Sequence, residues 1–218
     1  MKYIVTGGAG FIGSNIVKKL VARGDNVVVI DNLNTGKEDN LASVKDKIIF
    51  LKDDILNVDL LEQHTDEIDG IFHQAALASV QDSFSKPEEY NNVNVNGTEN
   101  ILKLAKKNDF KVVYASSSSV YGNPEKIPIS ESDSKNPINP YAETKLKKEE
   151  LAVKYSQIGV KVIGLRYFNV FGKGQSKEYA GVLKLFLERI RDQLPPKING
   201  DGTPVSYTHL TLPTKRIV

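Results

Sequence analysis

Residues 6–13 read Thr6-Gly7-Gly8-Ala9-Gly10-Phe11-Ile12-Gly13, directly after a β-branched run and directly before an apolar helical pattern that starts at Phe11. A glycine-rich turn in that context brings backbone amides against a pyrophosphate, which then lies on the partial positive charge of the helix N-terminus. Gly7 and Gly10 permit the tight turn and the close approach; Gly13 lets helix pack on strand. The second β-branched run ends at Asp31, 18 residues past Gly13. A carboxylate there accepts hydrogen bonds from an adenosine ribose and repels a 2′-phosphate, so the expected cofactor is NAD rather than NADP. Lys37, in the following loop, would soften that preference. A glycine turn in an α/β protein that binds no nucleotide is the competing explanation.

Outward from this stretch, short β-branched runs alternate with longer helical patterns. Tyr3–Thr6, Asn26–Ile30, Ile48–Leu51, Gly70–His73, Lys111–Ala115 and Lys161–Arg166 are predicted strands. Phe11–Arg23, a segment near Asp59–Thr65, Glu88–Lys107 and Tyr141–Gln157 are predicted helices. Such alternation predicts an α/β, Rossmann-type doubly wound parallel sheet with helices on both faces. Two connections, 31–47 and 116–140, are long enough to suggest functional loops.

Composition narrows the function classes. The chain has 218 residues, 40% of them hydrophobic and 26% charged, which are ordinary globular proportions. Its formal charge of +2 comes with no basic block, so nucleic acid is not an expected partner. There is no cysteine, which removes disulfides and thiol catalysis. His64, His73 and His209 are dispersed without ligand spacing, and no metal is expected. No stretch approaches membrane-spanning length and the first apolar run lacks a cleavage pattern, so cytoplasm is the expected location.

Other candidate residues fall at predicted strand ends, where ligands collect in open α/β sheets. Asp54-Ile55 follows the third strand and Gln74-Ala75-Ala76 the fourth, leaving room for adenine and the diphosphate. Asp54 is equally a plausible helix cap, and Ala75 and Ala76 plausible packing spacers. Tyr141-Ala142-Glu143-Thr144-Lys145 opens a helix, with Asn139 as its expected cap and Pro140 in its first turn. A spacing of four puts Tyr141 and Lys145 on one face, where the ammonium favours a phenolate and makes general-base work feasible. Ser116-Ser117-Ser118-Ser119 follows the fifth strand and places hydroxyls at the same edge. Taken singly, a Tyr/Lys pair is usually a solvated helix face and a serine run usually a loop. Their order behind a cofactor turn points to a site.

With these residues in place the chain resembles an extended short-chain dehydrogenase/reductase. It is most similar to the NAD-dependent sugar-nucleotide epimerase/dehydratase family and, within it, to the UDP-glucose 4-epimerases. The motifs TGGAGFIG, DNLNTG, NVNVNGT, ASSSSVYG, PYAETK and LRYFNVFG carry the resemblance, which extends from Met1 to about Thr203. It implies that Tyr141 is the catalytic base, that Lys145 binds the nicotinamide ribose, and that Ser117 shares the substrate 4-hydroxyl. Ser119 and Asn169 would touch the nucleotide sugar. Asn32, Asn94, Ser116 and Tyr167 would join Gly7, Gly10, Phe11, Ile12, Gly13, Asp31, Asp54, Ile55, Gln74, Ala75 and Ala76 around NAD.

The implied reaction is epimerisation of a UDP-hexose through a transient 4-keto sugar. A sibling epimerase, dehydratase or decarboxylase, or a non-catalytic NAD-binding protein, are the alternatives. The family's 4,6-dehydratases carry an acidic pair where Ser118-Ser119 stand here, which disfavours dehydration. The resemblance also implies a homodimer formed by the helices Glu88–Lys107 and Tyr141–Gln157.

Beyond Thr203 the family pattern stops. Residues 204–218 resemble translated sequencing adapter, so 1–203 is expected to be the NAD-binding domain with the start of the substrate region, and 204–218 a non-native tail. On that view the C-terminal substrate domain is largely missing. Phe186, Leu187 and Ile190, on a helical pattern, would then form an uncovered apolar patch.

Overall fold

The structure is a computed structural model that describes all residues except 125, 173, 176–181 and 196–218. The expected boundary at 203 and the tail after it lie outside the described residues. Six strands form one parallel sheet: β1 (Lys2–Thr6), β2 (Asn26–Ile30), β3 (Ile48–Leu51), β4 (Gly70–His73), β5 (Lys111–Ser117) and β6 (Val162–Tyr167). Their spatial order is β3-β2-β1-β4-β5-β6. The chain therefore starts in the middle, winds outward to β3, and returns to the other side of β1. Between β1 and β4 the connections diverge, opening a crevice at the carboxyl edge. This is the doubly wound α/β fold expected from the alternation.

Register aligns the site. Thr6 pairs with Ile30 on one side and with His73 on the other. Gly7, Asp31 and Gln74, the next residues, therefore leave the sheet side by side. Alternation along the strands divides the core. Ile4, Val28, Ile30 and Ile71 face the helices α2 (Val58–His64), α5 (Gly97–Asn108) and α6 (Pro140–Gln157), whose Leu61, Leu102 and Ala152 complete that layer. Val5, Val27 and Val29 face the other way, against Val17 and Leu20 of α1 (Phe11–Ala22). Fully burying each such aliphatic side chain contributes about 1.5–3 kcal/mol.

Two local expectations are corrected, and one short helix is added. Part of the 31–47 connection is a 3₁₀ helix, Glu38–Lys47, whose Leu41 and Val44 are buried; their three-residue spacing is the signal for it. The predicted helix Glu88–Lys107 is composite: α4 (Pro87–Tyr90), a π-helical stretch Asn91–Asn96, then α5. Ahead of it a short helix, α3 (Val80–Ser85), is capped by Ser79, which accepts from the Asp82 N–H. In the last described helix, α7 (Val182–Arg191), Leu187 and Ile190 are 65% and 58% exposed.

Candidate functional site

Along the carboxyl edge runs a cleft of about 1110 Å³, lined from β3 and β2 across β1 and β4 to β5, α6 and the segment after β6. At its centre the glycine turn is closely packed. A Cβ on Gly13 would collide with the Gly7 carbonyl oxygen, and one on Gly7, at φ +65°, would sit 2.6 Å from the Ala75 amide nitrogen. Gly10 caps α1 without a side chain, and the first turn of α1 holds no acidic residue. By contrast Asn57, Ser79 and Asn139 each accept a backbone N–H at the starts of α2, α3 and α6. The first turn of α1 thus carries no acidic residue of its own and no side-chain cap, which leaves its N–H groups suited to a phosphate.

Beneath the turn lies a buried relay. Thr98 Oγ1 donates to the Asn94 carbonyl (2.6 Å), so it must accept from His73 Nε2–H (3.0 Å). His73 Nδ1 then accepts from the Thr6 hydroxyl at 2.8 Å. Burial pushes the imidazole well below its ordinary range, so the ring is neutral and locks β1 to β4.

On the β2 side, Asp31 is 7% exposed and accepts from Ala9 N–H (2.9 Å) and Leu33 N–H (2.8 Å). Burial raises its carboxyl, while the amides of Leu33, Ala9 and Gly10 pull it back part of the way. A carboxylate has about four acceptor sites, so capacity remains for ribose hydroxyls. Asp54 does not cap α2, a place Asn57 takes. Its carboxylate accepts from Leu56 N–H (2.9 Å) and from Asn32 Nδ2 (2.7 Å), joining the ends of β2 and β3. Lys37, Asp54 and Ile55 line this end of the cleft.

At the other end, α6 is capped by Asn139, whose Oδ1 accepts from Ala142 N–H at 2.8 Å, with Pro140 in its first turn. Tyr141 N–H also donates to Ser83 Oγ of α3 (3.2 Å). Lys145, one turn on and nearly buried, places Nζ 5.4 Å from the Tyr141 ring centroid and donates to the Ala115 carbonyl at 3.2 Å. Ser117 Oγ accepts twice, from Ser119 N–H (3.1 Å) and Ser119 Oγ–H (2.9 Å). Both its lone pairs are used, so toward the cleft Ser117 acts as a donor.

Ser117, Tyr141, Lys145, Tyr167 and Asn169 all line the cleft, as do Gly7, Phe11, Ile12, Ala75 and Ala76. Two residues expected to bind ligand stand behind the wall instead. Asn94 is fully buried: its Oδ1 accepts from Leu77 N–H, and its Nδ2 donates to Leu77 O and Thr144 Oγ1. Its hydrogen bonds are consumed in tying the π-helical stretch to α6. Ser119 spends its hydroxyl on Ser117, so it orients that serine rather than facing the sugar. Ser116 lines the cleft, but its hydroxyl donates to Glu149 Oε1 at 2.6 Å.

That glutamate was not singled out from the sequence. It is 7% exposed, receives Arg166 Nε and Nη2 at 2.8 Å each, and pairs with Lys135 at 3.1 Å. Burial raises its carboxyl, but the Arg166, Ser116 and Lys135 hydrogen bonds outweigh that and hold it below the ordinary range. Arg166 also donates to Tyr121 Oη and to the Glu131 carbonyl. Its place two turns after Tyr141, on the same helix face, is the signal that could have pointed to it.

Residues 3–208 match the NAD dependent epimerase/dehydratase family. The chain belongs to that family. A UDP-glucose 4-epimerase of Lactobacillus helveticus is 37% identical over 206 residues, 93% of this chain and 62% of that protein. Among solved structures, the UDP-N-acetylglucosamine 4-epimerase of Methanobrevibacter ruminantium, in complex with UDP-N-acetylmuramic acid, is 39% identical with a TM-score of 0.85. It is matched over 92% of this chain and 66% of its own. A dTDP-glucose 4,6-dehydratase of Streptomyces venezuelae with NAD bound is 33% identical, with a TM-score of 0.83 over 93% of this chain and 66% of its own. The chain thus spans somewhat under two thirds of the length of these relatives.

The family is NAD-dependent, and the residues present fit that group. The glycine cradle has no room for a Cβ at Gly7 or Gly13, α1 starts without a side-chain cap, and the amide of Gln74 lacks a hydrogen-bond partner among the described residues. No helix among the described residues is long and apolar enough to cross a membrane.

Proposed function

We propose that the chain is the NAD-binding part of a sugar-nucleotide 4-epimerase acting on a UDP-hexose or its N-acetyl form. The observation that carries this is the Ser117–Tyr141–Lys145 group at one end of the cleft, with serines, and no carboxylate, at 118 and 119. Bound NAD supplies the reversible two-electron partner for the sugar C4–H bond. Asp31 holds the adenosine ribose, and the α1 N-terminus with Gly7 and Gly10 holds the pyrophosphate. Lys145 has ammonium protons to spare beyond the one given to Ala115, and these reach the nicotinamide ribose and steady the Tyr141 oxygen.

Tyr141 then takes the proton of the sugar 4-hydroxyl as C4 is oxidised and returns it when C4 is re-reduced from the other face. Ser117, fixed as a donor by Ser119, hydrogen-bonds the 4-oxygen in both directions. Dehydration needs an acid and a base to expel water across neighbouring carbons, and the serines at 118 and 119 supply neither. The face formed by α5 and α6 is the proposed homodimer contact.

Tyr141→Phe tests the assignment. Interconversion of UDP-glucose and UDP-galactose, measured in the chain extended by a relative's C-terminal segment, should fall at least about 10²-fold, the scale of general-base catalysis. NAD affinity should stay within about threefold, less than one typical hydrogen bond contributes. Turnover at the parent rate would remove Tyr141 from the chemistry.

A further inference from the structure

Gln74 is the first residue past β4, and its backbone N–H donates to the Thr6 carbonyl at 3.0 Å. It is thereby pinned between the glycine turn after β1 and the serines that end β5. Its side chain is at odds with its surroundings. Both Nε2 and Oε1 are buried and neither has a hydrogen-bond partner among the described residues, although the residue lines the cleft. The Tyr167 phenol lies beside it, close enough to feel the amide, without closing a hydrogen bond of good geometry. Nearly all buried amides in folded proteins are paired, so an orphaned donor and acceptor on one planar group call for a ligand that matches both.

The sheet order says which part of a dinucleotide would meet it. Asp31 marks the adenosine ribose over β2, Gly7 and Gly10 the pyrophosphate over β1, and Ser117, Tyr141 and Lys145 the reacting end over β5 and α6. β4 lies between β1 and β5, so Gln74 falls on the nicotinamide half. In that half, one planar substituent carries both an N–H donor and a carbonyl acceptor: the ring carboxamide. We propose that Gln74 grips the nicotinamide carboxamide through an amide-to-amide pair and so selects which face of the ring looks toward the sugar. Turning the ring over about its glycosidic bond would carry the carboxamide away from Gln74 and leave the side chain unpaired again. The assignment rests on the NAD reading given above.

The test needs no turnover. The 218-residue chain and its Gln74→Met variant are titrated with NAD, with the 3-acetylpyridine analogue, whose methyl ketone replaces the carboxamide, and with ADP-ribose, which lacks the ring. The parent chain should bind NAD about tenfold more tightly than the analogue, the scale of one hydrogen bond in a dry site. Gln74→Met should lose about tenfold in NAD affinity, bind NAD and the analogue within about twofold of each other, and keep ADP-ribose within about twofold. Unchanged NAD affinity with the preference for the carboxamide intact would overturn the proposal. So would a parallel loss of ADP-ribose, which would mark Gln74 as a purely structural residue. Failure of the parent chain to bind either NAD or ADP-ribose would instead overturn the cofactor reading, and the Gln74 assignment with it.

Discussion

Replacing Lys148 by methionine should make the protein more stable. Lys148 lies on α6 with no exposed surface, and its Nζ has no hydrogen-bond partner among the described residues. The nearest compensation is the face of Tyr114, whose ring centroid is 5.8 Å away. Burial first, then the like charge of Lys145, pushes the amine well below the ordinary lysine range. A cation over an aromatic ring contributes about 0.5–2 kcal/mol, whereas desolvating an ion costs several, so the balance favours the neutral amine. Removing a buried polar group that lacks a partner relieves about 1–3 kcal/mol, and methionine is close enough in volume to need little repacking.

For a chain of this size that corresponds to a rise in melting temperature of roughly 2–12 °C. The pH dependence carries a definite sign. With the folded-state pKa lowered, the unfolded chain binds the proton more readily. Stability contributed by the neutral amine is therefore present above the ordinary lysine pKa and lost as pH falls toward the folded value, at up to about 1.4 kcal/mol per pH unit. The variant lacks this loss, so its advantage should widen as pH is lowered from about 9 to about 7. Calorimetric melts of both proteins across that range measure it. A variant that melts below the parent at neutral pH, or an advantage that does not change with pH, would refute the argument.

Two further outcomes follow from the geometry. Gly13→Ala places a Cβ against the Gly7 carbonyl oxygen and 2.8 Å from both the Gly7 carbonyl carbon and the Gly8 Cα, all backbone atoms that cannot swing aside. Overpacking of this kind costs about 1–3 kcal/mol, and NAD binding, read by titration, should weaken at least about tenfold; a folded variant with parental affinity contradicts the cradle. Glu149→Gln leaves Arg166 mostly buried without its charge partner and should destabilise by about 3 kcal/mol, the low end for a broken buried pair because Arg166 keeps some solvent contact. Since the Glu149 pKa is lowered in the folded state, its contribution is present above the ordinary carboxylate range and lost on acidification through it. Melts of parent and variant should therefore converge at acid pH, and a constant gap would show that Glu149 acts through packing alone.

Much of the site was legible because its chemistry is local. The glycine turn, the Asp31 strand end and the capped start of α6 are each written in consecutive residues, and backbone geometry transmits them directly. The single helix expected over Glu88–Lys107 is instead a composite of three helical segments. Its apolar spacing suits a helix, but the change to a π-helical stretch at Asn91–Asn96 accompanies the docking of Asn94 between Leu77 and Thr144, contacts 17 and 50 residues away. For the same reason Asn94 and Ser119 could be linked to the site by resemblance, while only packing put them behind its wall.

The sequence alone determined the α/β alternation, the order in which site residues arrive at the carboxyl edge, and the place of Asp31 at the end of β2, since each depends on strand periodicity or on a few adjacent residues. The tertiary structure alone decided that Glu149 gathers Ser116, Arg166 and Lys135, that Ser117 is left as a donor, and that, among the described residues, Lys148 is buried without a hydrogen-bond partner and Gln74 offers an unpaired amide to the cleft. Most of those states hang on partners far apart in the chain, and Ser117's hangs on the turn that seats Ser119 against it. Whether a polar atom is satisfied or orphaned is a property of what packs around it, and residue spacing along the chain does not encode that.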